Sequence, residues 1–179
     1  MLNKKLFSIL GIIIMIGLSI MFLSLIHNSL AYAPLPLNEH VPNINLKDIT
    51  GDYFKFDQIR KEQCILIYFT TECGNCRIAM TNFNELQNQF SDEIKVLGVS
   101  GSTVERTNSF LREYDITFQV LIDDLGIVKN DYGVRAVPAI YFIDDELILR
   151  GYRAGHRSLK NDRNWVQTLL FENHTLNEE

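Results

Sequence analysis

Two cysteines stand two residues apart in Glu72-Cys73-Gly74-Asn75-Cys76. They fall where a strand-like run, Cys64-Ile65-Leu66-Ile67-Tyr68-Phe69, gives way to a helical pattern with apolar residues at Ala79, Phe83, Leu86 and Phe90. Thiols so placed can close into a small disulfide ring and reopen, a reversible two-electron exchange with another protein's sulfurs. The start of a helix leaves backbone N–H groups without helical partners, and its dipole favours negative charge. Both effects favour a thiolate at Cys73, the attacking form. Cys76, one turn further in, is the resolving thiol that releases a bound partner. The working group is then the Cys73–Cys76 disulfide itself, with no metal and no separate cofactor. A zinc site normally needs four ligands, whereas Cys64 and the four histidines are scattered along the chain.

A second feature is Val137-Pro138, just before the strand-like Ala139-Ile140-Tyr141-Phe142-Ile143. X–Pro bonds tolerate the cis form far better than others. A cis bond here turns the Val137 backbone toward Cys73 and leaves an edge on which an extended client can pair. Val137 and Pro138 are therefore candidate substrate-binding residues. Glu72 is either a solvated carboxylate or a charge that tunes Cys73, because a nearby carboxylate disfavours a second negative charge. Cys64, inside a predicted strand, is expected to be a buried, inert thiol. Arg135, Arg150 and Arg153 read as surface charges, and His156 as an exposed or structural histidine.

Around these residues the chain alternates strand and helix patterns. Ile44, Leu46 and Ile49 face Tyr53, Phe54 and Phe56 across Thr50-Gly51-Asp52, an expected hairpin. Ile94 to Val99 reads as a second central strand. Thr103 to Tyr114 reads as a helix with Val104, Thr107, Leu111 and Tyr114 on one face. A short strand over 118–122 and a helix over 125–132 follow. Strands at 139–143 and 147–149 pair across Asp144-Asp145-Glu146, and Ser158 or Asn161 caps a last helix through Trp165, Val166, Leu169 and Leu170. Such alternation predicts an α/β fold, a mixed sheet with helices on both faces. The chain is 46% hydrophobic with a net charge of -5 and shows no basic stripe, which argues against nucleic acid as a partner.

Lys4 and Lys5 precede an uncharged apolar stretch over 6–26. As a helix it spans about 32 Å, enough for a bilayer core. Cations before it and none after it until Lys47 orient the N-terminus to the cytoplasm. The remainder then lies outside, where disulfides persist and need dedicated catalysts. Ala31-Tyr32-Ala33 has the small-x-small look of a cleavage site, but Pro34 would follow the cut, so an uncleaved signal anchor is expected.

At this point Cys73-x-x-Cys76, the strand before it and Tyr132-Gly133-Val134-Arg135-Ala136-Val137-Pro138 resemble the thioredoxin superfamily. Pro42-Asn43-Ile44-Asn45-Leu46-Lys47-Asp48 and the extra helix and strand from Thr103 to Asp123 resemble its TlpA/ResA-type, membrane-anchored thiol–disulfide oxidoreductases. The resemblance implies a thioredoxin-like fold with an N-terminal hairpin and an inserted helix-strand, preceded by one transmembrane helix. It divides the chain into a cytoplasmic N-terminus (1–5), a signal anchor (6–26), a linker (27–40), a thioredoxin-like domain (41–173) and a tail (174–179). It implies Cys73 and Cys76 as the redox pair and Pro138 as the cis-proline. Implied partners are thiol or disulfide client proteins of the bacterial envelope and a membrane electron donor or acceptor, with reduction of clients the favoured direction. The chain departs from the family at Glu72, where tryptophan is usual, and at Asn75, where proline is frequent. It departs again at Ala79, where cytochrome-maturation members carry a buried glutamate. Two alternatives stay open. One is a thiol peroxidase of the peroxiredoxin type, for which Thr70 and Cys73 fit half a signature and Leu66 stands in place of its proline. The other is an envelope copper chaperone using the cysteines with His156.

Overall fold

A computed structural model of the chain describes residues 13–21, 35–59 and 62–176. It divides into two compact units, Met1–Ala33 and Pro34–Glu179. In the first, residues 13–21 form helix α1, whose large apolar side chains, from Ile13 to Met21, are all more than half exposed. The rest of the expected 6–26 anchor, the charged N-terminus and the linker as far as Pro34 lie outside the described residues, as do residues 177–179 of the tail. Among the described residues no helix is long and apolar enough to cross a membrane.

In the second unit, strands β1 (Asn45–Asp48) and β2 (Tyr53–Lys55) form the expected antiparallel hairpin, with Leu46 opposite Phe54. Asp48 shapes its turn by accepting the Thr50 N–H at 2.8 Å, and Gly51 supplies the left-handed residue at φ +95. Strands β3 (Gln63–Phe69), β4 (Ile94–Ser100) and β5 (Gln119–Ile122) run parallel, β6 (Ala139–Ile143) runs antiparallel to β3, and β7 (Leu149–Ala154) antiparallel to β6. Among the described residues these make one seven-stranded sheet in the order β2-β1-β5-β4-β3-β6-β7.

Strand β3 lies inside that sheet with both faces covered, which is why its sequence is almost continuously apolar. Its residues alternate between two cores. Ile65, Ile67 and Phe69 pack with Cys76 and Phe83 of α2 (Gly74–Gln89), Phe110 of α3 (Val104–Glu113) and Val166 of α5 (Leu159–Leu176). Cys64, Leu66 and Tyr68 pack on the other face with Phe54, Phe56 and Val128 of α4 (Ile127–Asp131). Strand β4 presses so closely on its surroundings that a Cβ at Gly98 would stand 2.8 Å from Val120 Cγ2 and 3.2 Å from Phe118 Cε2. A side chain there would push both residues out of their packing.

Several elements differ from expectation. The last strand runs over Leu149–Ala154, not 147–149, and its inward residues are Leu149, Gly151 and Arg153. A glycine and an arginine on the buried face hide the alternation that marks a strand. The helix expected over 125–132 is only Ile127–Asp131, because Asp123 to Gly126 form a turn with Gly126 at φ +68. On α3 the buried residues are Thr107, Phe110 and Leu111, whereas Val104 in the first turn is exposed. Ser158 caps α5, its Oγ accepting the Asn161 N–H at 3.4 Å.

Arg153 is the largest correction. Expected at the surface, it is only 6% exposed. It pairs with the buried Asp162 carboxylate of α5, and the rings of Trp165 and Phe83 lie 5.1 and 5.6 Å from its guanidinium. Asn82 of α2 donates to the second Asp162 oxygen at 2.9 Å and to the Arg157 carbonyl at 3.0 Å. One charge pair thus ties β7, α5 and α2 together in the same core that holds Cys76. Arg150 is also engaged, donating to the buried Asp144 carboxylate at 2.7 Å, while Arg135 is exposed as expected.

Candidate active site

Cys73 is the N-cap of α2, with an extended backbone at φ -89 and ψ 108. It stands one step outside the helix rather than in its first turn, and this aims its side chain at the helix amides. Its sulfur accepts the Cys76 N–H at 3.1 Å. A negative charge on that sulfur would sit where the helix presents unpaired donors and the positive end of its dipole. Gly74 and Asn75 are exposed, so the sulfur can be approached from solvent.

Cys76 differs in every respect. It is fully buried among core residues, whereas Cys73 is half-buried. Burial above all, and then hydrogen bonding with Cys73, pushes the Cys76 thiol well above the ordinary thiol range. Ala79, one turn further on, is also fully buried, so α2 brings no carboxylate into this core at that position.

The Val137–Pro138 peptide is cis, and the structure brings it to Cys73 from the start of β6. The Cys73 thiol donates to the Val137 carbonyl at 3.6 Å, a long sulfur hydrogen bond. Two segments separated by 64 residues thus meet at one sulfur.

Glu72 turns toward α3 and not toward Cys73. It pairs with Arg106 and accepts the Ser102 hydroxyl at 3.3 Å. Ser102 in turn receives the Thr71 N–H and hydroxyl, both at 3.1 Å. The residues just before Cys73 are therefore tied to the start of α3. Its own backbone N–H first, then Thr71 and Arg106, hold the Glu72 carboxyl below the usual carboxylate range. Glu72 directly precedes Cys73 in the chain and carries Arg106 as its partner, which sets up a test of any tuning role. Glu72→Gln should speed iodoacetamide alkylation of Cys73 about twofold at low salt, and Arg106→Gln should slow it about twofold. Both differences should fade at about 0.5 M salt, where the Debye length is a few ångströms. Changes of one sign in both variants would mean that Glu72 acts through loop geometry and not charge.

Cys64 is sealed in β3, and burial pushes its thiol far above the ordinary range. It packs in the core on the face of the sheet opposite Cys76. His156 is exposed after β7. Among the described residues no group of three or more His, Cys, Asp or Glu side chains is placed to hold a metal ion. Sequence reasoning missed Ser102, Arg106 and the buried Asp123. All three follow the carboxyl ends of parallel strands, the edge of an open α/β sheet where sites gather, and that rule was the available signal.

The AhpC/TSA family model matches residues 37–152. The thioredoxin-like protein YneN of Bacillus subtilis is 27% identical over 126 residues, covering 68% of this chain and 74% of its own. The thiol-disulfide oxidoreductase ResA of Bacillus thuringiensis is 23% identical over 114 residues, covering 63% of this chain and 66% of its own. A solved structure assigned as the thiol:disulfide interchange protein DsbE of Chlorobium tepidum superposes with a TM-score of 0.71 at 21% identity, over 76% of this chain and 99% of its own. That likeness shows the fold, which is thioredoxin-like. With the match spanning the hairpin, the Cys73–Cys76 segment and β6 together, the chain belongs to the AhpC/TSA family.

Proposed function

We propose that this chain is a thiol–disulfide oxidoreductase of the cell envelope, working through Cys73 and Cys76 and reducing client disulfides. The observation that carries the reading is the contrast at the head of α2. An approachable Cys73 sulfur rests on the Cys76 N–H at 3.1 Å, above a Cys76 thiol that is fully buried. The names of the ResA and YneN relatives support it.

The steps balance as follows. The Cys73 thiolate attacks one sulfur of a client disulfide. A Cys73–client bond forms, the client's own S–S bond breaks, and its second sulfur leaves as a thiolate and takes up a proton. Cys76 then loses its proton and attacks the Cys73 sulfur. The Cys73–Cys76 disulfide forms and the client's first sulfur departs as a thiol. The client gains two electrons and the pair loses two, so an external dithiol must restore the pair. In the envelope that dithiol belongs to a membrane donor. Val137, in contact with Cys73, presents the backbone edge along which the client lies.

The anchor over 6–26 and the outward placement of the domain belong to the same proposal. The apolar, exposed surface of α1 and the lysines before it support them. The peroxidase alternative is disfavoured by Leu66, which pairs with Leu97 on one side and Tyr141 on the other. The signature's proline has no N–H to give such a central strand.

The test is insulin reduction driven by dithiothreitol. The full chain should precipitate the insulin B chain, and Cys73→Ser should not exceed background. In intact cells a membrane-impermeant maleimide should label Cys73. Absence of insulin reduction by the native chain would overturn the function, and protection of Cys73 until lysis would overturn the location.

A further inference from the structure

We propose that Arg153 is a positioning residue, which from inside the core holds the Val137–Pro138 segment at a set distance from Cys73. The inference rests on the function proposed above and adds to it a residue that fixes the geometry of exchange with extended clients.

The guanidinium of Arg153 divides its donors between two partners. Nη1 donates to the Gly155 carbonyl at 2.8 Å. Nη2 pairs with the Asp162 carboxylate. The Gly155 N–H in turn donates to the Pro138 carbonyl at 2.8 Å. The peptides on either side of Gly155 are thus pinned, one to Pro138 and the other to Arg153. Gly155 stands at φ +80, where a side chain would be strained, so the turn that carries both bonds depends on glycine. Val137 directly precedes Pro138, and its carbonyl is 3.6 Å from the Cys73 sulfur.

The far side of the network returns to the helix that Cys73 caps. Asn82 of α2 donates to Asp162 at 2.9 Å and to the Arg157 carbonyl at 3.0 Å. Phe83, the next residue, lies against the guanidinium. Asn82 is roughly 14 Å along the helix axis from Cys73. The contacts therefore close a circuit that leaves α2 at Asn82 and comes back to it at Cys73.

Stability alone does not call for this arrangement. A buried ion pair loses hydration on both sides, and apolar side chains of similar volume hold a core about as well. Arg153 Nε, moreover, has no hydrogen-bond partner among the described residues. What apolar side chains cannot supply is direction, since a planar guanidinium aims separate N–H groups at a carbonyl and at a carboxylate. Direction is what a backbone edge beside a reacting sulfur requires. An extended client lies on Val137 while its sulfur lines up with Cys73, and a misplacement of about 1 Å can slow such a reaction a hundredfold. A small disulfide with no backbone to lay down needs only the Cys73 sulfur.

The experiment uses the full chain carrying Arg153→Met with Asp162→Leu, which keeps the core filled and uncharged. Oxidation of the reduced chain is followed with hydroxyethyl disulfide and with a peptide whose one cysteine is joined to glutathione. The peptide rate should fall about tenfold, and the hydroxyethyl disulfide rate should stay within about twofold of native. By NMR the Gly155 amide should exchange with solvent about tenfold faster, while amides at the centre of β3 keep their protection. Asn82→Ala leaves the ion pair in place and loosens only the tie to α2. It should show the same selective loss, about threefold, and it decides the matter should the double variant fail to fold. Equal losses on the two disulfides, a peptide rate unmoved in either folded variant, or undiminished protection of Gly155 in the double variant would overturn the positioning role and leave the function standing. Failure of the native chain to react with hydroxyethyl disulfide would overturn the function and the inference with it.

Discussion

The Cys76→Ser chain, mixed with an oxidised client, will accumulate as a covalent complex through Cys73. The first half of the exchange needs only the Cys73 sulfur, which faces solvent at the head of α2 and keeps its N–H donor, because that donor is backbone. The second half needs a thiol at position 76, and a hydroxyl is not a competent nucleophile toward a disulfide. Cys64 cannot substitute, since it is sealed in the core on the far face of β3. Turnover of insulin should fall about a hundredfold or more, with the residue of activity supplied by the external dithiol. Non-reducing electrophoresis and mass spectrometry should find one client per chain, linked at Cys73. Client release at the native rate would refute the resolving role. The buried Cys76 thiol, held above the ordinary range, also sets a pH sign: release in the native chain should quicken as pH rises toward the alkaline side, because the attacking species is the deprotonated form.

Asp162→Ala should destabilise the fold by about 3–5 kcal/mol, because it strands the Arg153 guanidinium as an unpaired buried charge. Both side chains are almost wholly buried, at 4% and 0% exposure, so solvent cannot screen the loss. Arg153 Nε has no hydrogen-bond partner even in the native arrangement, and Asn82 would lose its Asp162 acceptor as well. For a domain of this size the melting temperature should drop on the order of 10 °C. Replacing both partners, as Arg153→Met with Asp162→Leu, should recover most of the loss, since no charge is then left in the core. Urea unfolding of all three chains checks both statements. A loss below about 1 kcal/mol for Asp162→Ala would mean that water reaches the pair.

What could be read before the fold was known depended on whether the cause was local. Strand β3 and helix α2 were legible because each carries its own pattern: a run covered on both faces, and apolar steps of three and four. The cysteine pair and Val137-Pro138 were legible as short motifs. Arg153 was not, because its burial depends on Asp162, Trp165 and Phe83, contributed by a different helix and a distant one. The reach of β7 was lost for the same reason, since its inward glycine and arginine imitate a loop. Glu72 was recognised as worth weighing, but its partner lies 34 residues away on the inserted helix α3, and no periodicity announces a surface ion pair.

The placement of Cys64 bears on fidelity. A chain whose task is to form bonds with foreign sulfurs risks being captured by its own. Here the third sulfur lies behind a layer of sheet, so a client held at Cys73 has a single internal exit, through Cys76. Scrambled internal pairings would first require the sheet to open, and the error rate of the exchange is then governed by the stability of the fold.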